Sequence, residues 1–268
     1  CTPLQGVAVH INAFNFPVWG MLEKLAPTLL AGVPAIVKPA TNSCYVTELA
    51  VRLMLDSGIL PAGTLQLVSG GLGDMLDHLG MMDVVSFTGS AHTALKLRST
   101  PVILENSIRF VAEQDSLNAS ILGPDAIPGT PEFDLFVKEV SREMTTKAGQ
   151  KCTAVRRIIA PNAQVEAVIE ALSARLAKTT IGDPRLETTR MGALVSMGQK
   201  HDVLEKAALN GTEATRVFRD PDHFPVEGAD PAQGAAGPPM LVSCTADDLL
   251  LDHIRRPPPK TATCDRGV

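Results

Sequence analysis

Aromatic side chains are scarce in this chain of 268 residues: Phe, Tyr and Trp together make up 4%. With 45% hydrophobic and 20% charged residues, the composition is that of a globular chain long enough for a sizeable core and for more than one domain. A basic excess is also missing. The net charge is −5 and the pI about 5.7, which argues against a nucleic-acid or anionic-membrane binder, since those usually carry a basic face. No apolar run reaches the roughly 18 residues that a transmembrane helix needs, and no signal-peptide pattern opens the sequence. The five cysteines, Cys1, Cys44, Cys152, Cys244 and Cys264, are odd in number and form no C-x-x-C pair. A disulfide framework or zinc site is therefore not expected, and a reducing, cytoplasmic setting is. The six histidines show no metal-like spacing, and no metal is expected. An initiator Met is absent, and CTPLQGVAVHI enters a strand almost at once. Residues 248–268 lose periodicity and contain a triple proline. The sequence reads as an internal piece of a longer protein, truncated at both ends.

What is present alternates. The apolar runs GVAVHIN, PAIVK, LQLV and DVVSF are separated by helical patterns from Pro17, from Thr41 to Ser57 with Gly58 as a stop, near GDMLDHLG, and from Ser90. Thr41 to Ser43 are capping candidates for the second helix. Strands separated by helices of this length predict βαβ units and a parallel sheet. From about residue 112 a second α/β unit follows, with short strands (IRFVAE, NASIL, VRRIIAP) and helices from Pro131, from Asn162 to Lys178, and over GQKHDVLEKAALN. Arg219 to Pro239 reads as loop. The expected organisation is a Rossmann-type nucleotide-binding domain over 1–112, a catalytic domain over 113–247, and an atypical tail over 248–268.

Ligands of parallel α/β sheets bind beyond the carboxyl ends of the strands. Here those ends read NAFNFP, KPAT, SGGLGD and FTGS, each polar or glycine-rich and each followed by a helix. Free N–H groups at helix starts favour phosphate, so a nucleotide is the natural ligand. The G-x-G-x-x-G fingerprint is missing, since Met75 and Leu76 follow Gly71 and Gly73. SGGLGD is better read as a turn that needs glycine φ angles.

Several residues carry chemistry in more than one way. Cys152, in AGQKCTAVRR, is either a packed residue at a junction or a nucleophile. Gly149 and Gln150 can expose backbone beside it, and Lys147 and Lys151 can favour a thiolate. It stands after a helix, at the end where the dipole disfavours an anion. Glu113, closing the run RFVA, is a general base or an ordinary surface acid. Asn15 can donate to an oxyanion or fix the turn before Pro17. Lys38 can reach ribose hydroxyls or be a solvated strand end. Cys44 and Cys244 suit packing.

Taken together, FNFP at 14–17, VKPAT at 37–41, FTGS at 87–90, Glu113 and GQKC at 149–152 resemble the aldehyde dehydrogenase superfamily in order and spacing. The interval of 39 residues from Glu113 to Cys152 also agrees. HINAFNFPVWGMLEKLAP, EQDSLNASILG and REMTTKAGQKCTAVRRIIAP resemble the branch of that family acting in aerobic phenylacetate and benzoyl-CoA breakdown. The resemblance implies Cys152 as nucleophile, an oxyanion held by the Asn15 amide and the Cys152 backbone N–H, and Glu113 as base. It also implies cofactor contacts at Lys38, Thr41, Thr88, Gly89 and Ser90, a semialdehyde substrate linked to CoA, and a homo-oligomeric intact protein. Thr41 stands where many NAD-using relatives carry a glutamate, so NADP is the expected cofactor, with NAD possible. Two departures stand out. Gln114 and Asp115 follow Glu113 where Gly-Gly is common in the family. The later E-x-F-G-P motif is absent, and LLLDHIRRPPPKTATCDRGV stands in its place, as after a frameshift or junction. An inactive fragment and a cysteine acyltransferase using CoA are the competing expectations.

Overall fold

All four residues of β1 (Ala8–Ile11) are buried, as a strand with helices on both its faces must be. The computed structural model describes residues 2–210, 215–220, 223–245 and 262–267, with the side chains of 208–210, 216 and 262–267 left aside. It divides into two units, residues 1–115 and 116–268.

In the first unit β1 is followed by α1 (Trp19–Leu30), β2 (Ala35–Lys38), α2 (Cys44–Asp56), β3 (Leu65–Leu67), β4 (Val84–Gly89), α3 (Ala91–Arg98), α4 (Pro101–Glu105) and β5 (Arg109–Gln114). The strand order is β3-β2-β1-β4-β5, and every pairing is parallel. Met21 and Leu25 of α1 and Val51 of α2 pack on Ala35, Val37 and Leu65. Ala94 of α3 and Ile103 of α4 pack on Val9, Ile11, Val85 and Phe87. Side chains alternate across a strand, so these clusters lie on opposite faces and the sheet is doubly wound. The parallel α/β sheet expected from the sequence is present.

Local details differ from expectation. α1 begins at Trp19 rather than Pro17, although the Gly20 N–H already reaches the Phe16 carbonyl at 2.8 Å. Thr41 to Ser43 form a 3-10 turn, and Ser43 stands at the N-cap of α2 without a side-chain cap bond. The backbone closes that helix start by itself, with the Cys44 N–H donating to the Thr41 carbonyl. Gly58 follows α2 with φ +69, as a helix stop requires. In SGGLGD, Gly70 (φ +102) and Gly73 (φ +55) make the left-handed turn read from the sequence.

The second unit contains β6 (Ala119–Ile121), α5 (Pro131–Thr145), β7 (Arg157–Pro161), α6 (Val165–Leu176), α7 (Met197–Asn210), β8 (Thr215–Phe218), β9 (Leu241–Thr245) and β10 (Ala262–Gly267). The sheet order is β6-β7-β10-β9-β8, parallel except for β8 against β9. Thr130 caps α5 through the Phe133 N–H, and Pro131 takes the first helical position. Phe133, Val137, Val140 and Met144 then line up on one face against Ile158, Val168 and Leu172. β10 lies inside the tail that sequence periodicity left blank, while residues 246–261, where the E-x-F-G-P motif was sought, lie outside the described residues.

Leu172 is fully buried and Leu135 is 57% exposed. Leu172→Ala should cost about 2–5 kcal/mol, whereas Leu135→Ala should stay within about 0.5 kcal/mol. Urea titration followed by circular dichroism measures both, and similar losses would contradict this core.

Candidate active site

Parallel pairing sets the strand ends of the first unit along one edge of its sheet. Ile11 is opposite both Lys38 and Phe87, and Thr88 is opposite Glu113. Asn15 follows β1 in a bend and is half-buried. Lys38 ends β2, half-buried; burial lowers its pKa, and nearby Cys44 opposes that shift. Thr41 is exposed at the start of the 3-10 turn. Ser90 is committed as the N-cap of α3, its Oγ accepting from the Thr93 N–H at 3.2 Å. A Cβ on Gly89 would meet the Phe87 ring at 2.6 Å. Glu113 is exposed near the end of β5.

Lys24 was not found from the sequence. Its Nζ donates to Thr88 Oγ1 at 2.6 Å and to the Gly20 carbonyl at 3.3 Å. Burial lowers its pKa, opposed by the charges of Glu23 and Glu113. The available signal was a lysine in the inward stripe of α1, between Met21 and Thr28. Beneath it, Thr28 Oγ1 donates to the Lys24 carbonyl at 2.8 Å and faces His10 Nε2 at 3.0 Å. The single hydroxyl proton is then spent, so His10 carries its proton on Nε2. His10 is buried, and its pKa falls to about 4, first because of burial and then because of the Lys24 charge. Asn12, beyond β1, is buried, and neither of its amide atoms has a partner among the described residues.

Asp115 explains how the chain dispenses with Gly-Gly after Glu113. It adopts φ +49, its N–H donates to the Gly89 carbonyl at 3.2 Å, and its Oδ2 accepts from the Ala91 N–H at 3.1 Å. A carboxylate at the start of α3 suits the helix dipole.

Among the cysteines whose side chains are described, Cys152 in the second unit is exposed, Cys44 in the first is half-buried and Cys244 in the second is buried. α5 ends at Thr145, so Cys152 stands beyond the last turn, where the dipole effect has faded. Between them lie three left-handed residues in a row, Lys147 (φ 54), Ala148 (φ 53) and Gly149 (φ 68). Lys151 does not offer its charge freely to the thiol, since its Nζ pairs with Glu143 Oε2 at 2.7 Å. Gln150 is buried; its Nε2 donates to the Lys147 carbonyl at 3.0 Å, and its Oε1 accepts from the Val195 N–H at 3.0 Å. The Asn118 side chain donates to the Cys152 carbonyl and, at 3.2 Å, to that of Ala154. Arg156, also buried, donates to the carbonyls of Gly149 and Lys151, both at 3.1 Å. Among the described residues no group of three or more His, Cys, Asp and Glu could hold a metal ion.

The first unit, a doubly wound parallel sheet with a lysine- and threonine-bearing rim, and the second, with an exposed cysteine on a braced turn, define an α/β protein. The sequence matches the aldehyde dehydrogenase family over residues 1–252, and the chain belongs to that family. It is 52% identical over 243 residues to a 3,4-dehydroadipyl-CoA semialdehyde dehydrogenase of Aromatoleum evansii, covering 90% of this chain and 47% of that protein. It is 31% identical over 194 residues to an aminoacetaldehyde dehydrogenase of Pseudomonas aeruginosa, covering 71% and 38%. Among solved structures it is similar to aldehyde dehydrogenase C of Pseudomonas syringae, a mutant crystallised with NAD+ and octanal, with a TM-score of 0.84 and 25% identity over 99% of this chain and 53% of that one. The chain thus spans about half the length of these relatives.

Because His10 is neutral when buried, the unfolded chain binds a proton that the folded one refuses between pH 6.5 and about 4. Stability should be fully present above pH 6.5 and fall as the pH drops through that window, by up to about 3 kcal/mol from this group. His10→Gln should flatten the dependence of Tm on pH between 7 and 4.5. Parallel wild-type and variant profiles would show that His10 contributes nothing to it.

Proposed function

We propose that this chain is the nucleotide-binding and catalytic part of an NAD(P)-dependent aldehyde dehydrogenase that acts on a semialdehyde linked to CoA. The first unit would take the nucleotide and the second the thiol chemistry. The observation that carries the reading is the exposure of Cys152 alone among the described cysteines, on a turn whose backbone is held from behind. The substrate class rests on the 52% identity to a CoA-semialdehyde dehydrogenase.

Cys152 attacks the aldehyde carbon, forming a thiohemiacetal. The developing oxyanion is held by the Asn15 amide and the Cys152 backbone N–H. A bound nicotinamide supplies the hydride acceptor. Glu113 then takes a proton from the water that hydrolyses the thioester, releasing the carboxylic acid and the free thiol. The donor set suits a nucleotide. Lys38 offers a cation to ribose or phosphate, Thr41 and Thr88 offer hydroxyls, and Gly89 with Ser90 opens α3. Asn12, whose amide has no partner among the described residues, offers further polar contacts beneath this edge.

Aldehyde-dependent reduction of the nucleotide tests the reading, both on this chain and on the full-length protein. Cys152→Ser should abolish turnover while nucleotide binding is kept, and turnover surviving in that variant would overturn the assignment. A full-length protein that binds nucleotide but oxidises no aldehyde would instead favour the inactive reading.

Cofactor choice rests on Thr41. A carboxylate there, roughly 4 Å from a 2′-phosphate at an effective dielectric near 20, would be repelled by about 4 kcal/mol. Solvent at this exposed position reduces that figure, but about 1.4 kcal/mol is already tenfold in affinity. Threonine removes the repulsion and leaves Lys38 to meet the phosphate. NADP should therefore be preferred over NAD, and Thr41→Glu should reverse the preference, read as the ratio of kcat/KM values. A wild-type preference for NAD, or no change in the variant, would place selectivity elsewhere.

A further inference from the structure

We propose that Arg156 is a positioning residue that aims the backbone N–H of Cys152, a role that rests on Cys152 being the nucleophile as read above. The Lys151 carbonyl and the Cys152 N–H belong to one planar trans peptide, in which the two point in opposite directions. Arg156 holds that carbonyl from the buried side at 3.1 Å, so the N–H is turned the other way. The same guanidinium holds the Gly149 carbonyl at 3.1 Å, so one planar fork fixes two peptides on either side of Gln150. A hydrogen bond from a cation also polarises the peptide, which strengthens its N–H as a donor. The bracing has something to hold, because Lys147 and Ala148 sit in left-handed backbone that non-glycine residues keep only when their surroundings impose it. Burial lowers the pKa of Arg156, and the adjacent Cys152 opposes that shift, consistent with a cation held close to the nucleophile.

Two reactions of the same thiol separate this role from simple support of the turn. Acylation by p-nitrophenyl acetate passes through a tetrahedral oxyanion: the thiolate adds to the ester carbonyl, and p-nitrophenolate leaves. Alkylation by iodoacetamide displaces iodide and forms no oxyanion. Both are measured on this chain without nucleotide, beside its Tm. Arg156→Lys keeps the charge but cannot span two carbonyls as a planar fork. It should slow acylation about tenfold more than alkylation, equivalent to about 1.4 kcal/mol. Arg156→Met should widen the gap; if it fails to fold, the lysine variant still gives the ratio. Equal slowing of both reactions, or unchanged acylation, would overturn the proposal. Wild-type acylation that survives Cys152→Ser would instead overturn the nucleophile assignment itself.

Discussion

The register of β1 between β2 and β4 is the constraint on which the first unit depends. Because both pairings are parallel and Ile11 stands opposite Lys38 on one side and Phe87 on the other, the chain leaves all three strands at the same edge. A shift of one residue would reverse the face of every side chain, sending Val9 and Ile11 away from Ala94 and Ile103. It would also carry His10 away from Thr28. The apolar pattern that sets the register therefore also sets which polar groups appear at the rim, and no separate device is needed to gather them.

The polar layer under α1 shows what that placement costs. Burying His10 and part of Lys24 is unfavourable unless each finds partners. Thr28 answers for one ring nitrogen and Thr88 for the ammonium, 64 residues further along the chain. Fixing an ammonium against β4 sets it near the Glu113 carboxylate, whose charge works against the lowering of the Lys24 pKa by burial. The first unit therefore trades some apolar packing for an electrostatic environment at one strand end.

The alternation of strand and helix was legible because short aliphatic runs and helical patterns repeat at regular intervals, and the end of α2 and the start of α5 were marked by Gly58 and Pro131. The candidate positions Cys152, Glu113 and Lys38 were legible as residues at junctions. Their supports were not. Lys24 with Thr88, Asn118 with Cys152, and Gln150 with Val195 are contacts between residues far apart in sequence, and no local pattern announces them. The left-handed turn at Lys147 and Ala148 was hidden because glycine is the residue that advertises positive φ. β10 escaped notice because its residues, ATCDRG, carry neither alternation nor an apolar run.

Asp115 shows how a departure from a family pattern can be compensated within a few residues. Glycine is the usual occupant of backbone at φ near +50, and other residues lose about 1–2 kcal/mol there. Aspartate is among the side chains that visit this region most readily, and here it also satisfies an N–H that α3 would otherwise leave open. Capping bonds of this kind contribute about 1 kcal/mol, enough to offset much of the strain. The exchange has a mechanical result. Through the Asp115 N–H on Gly89 and its carboxylate on Ala91, the end of β5 is tied by one bond to the end of β4 and by another to the start of α3. Glu113 therefore projects from a strand anchored just beyond it, in part by a carboxylate bond that glycine could not make.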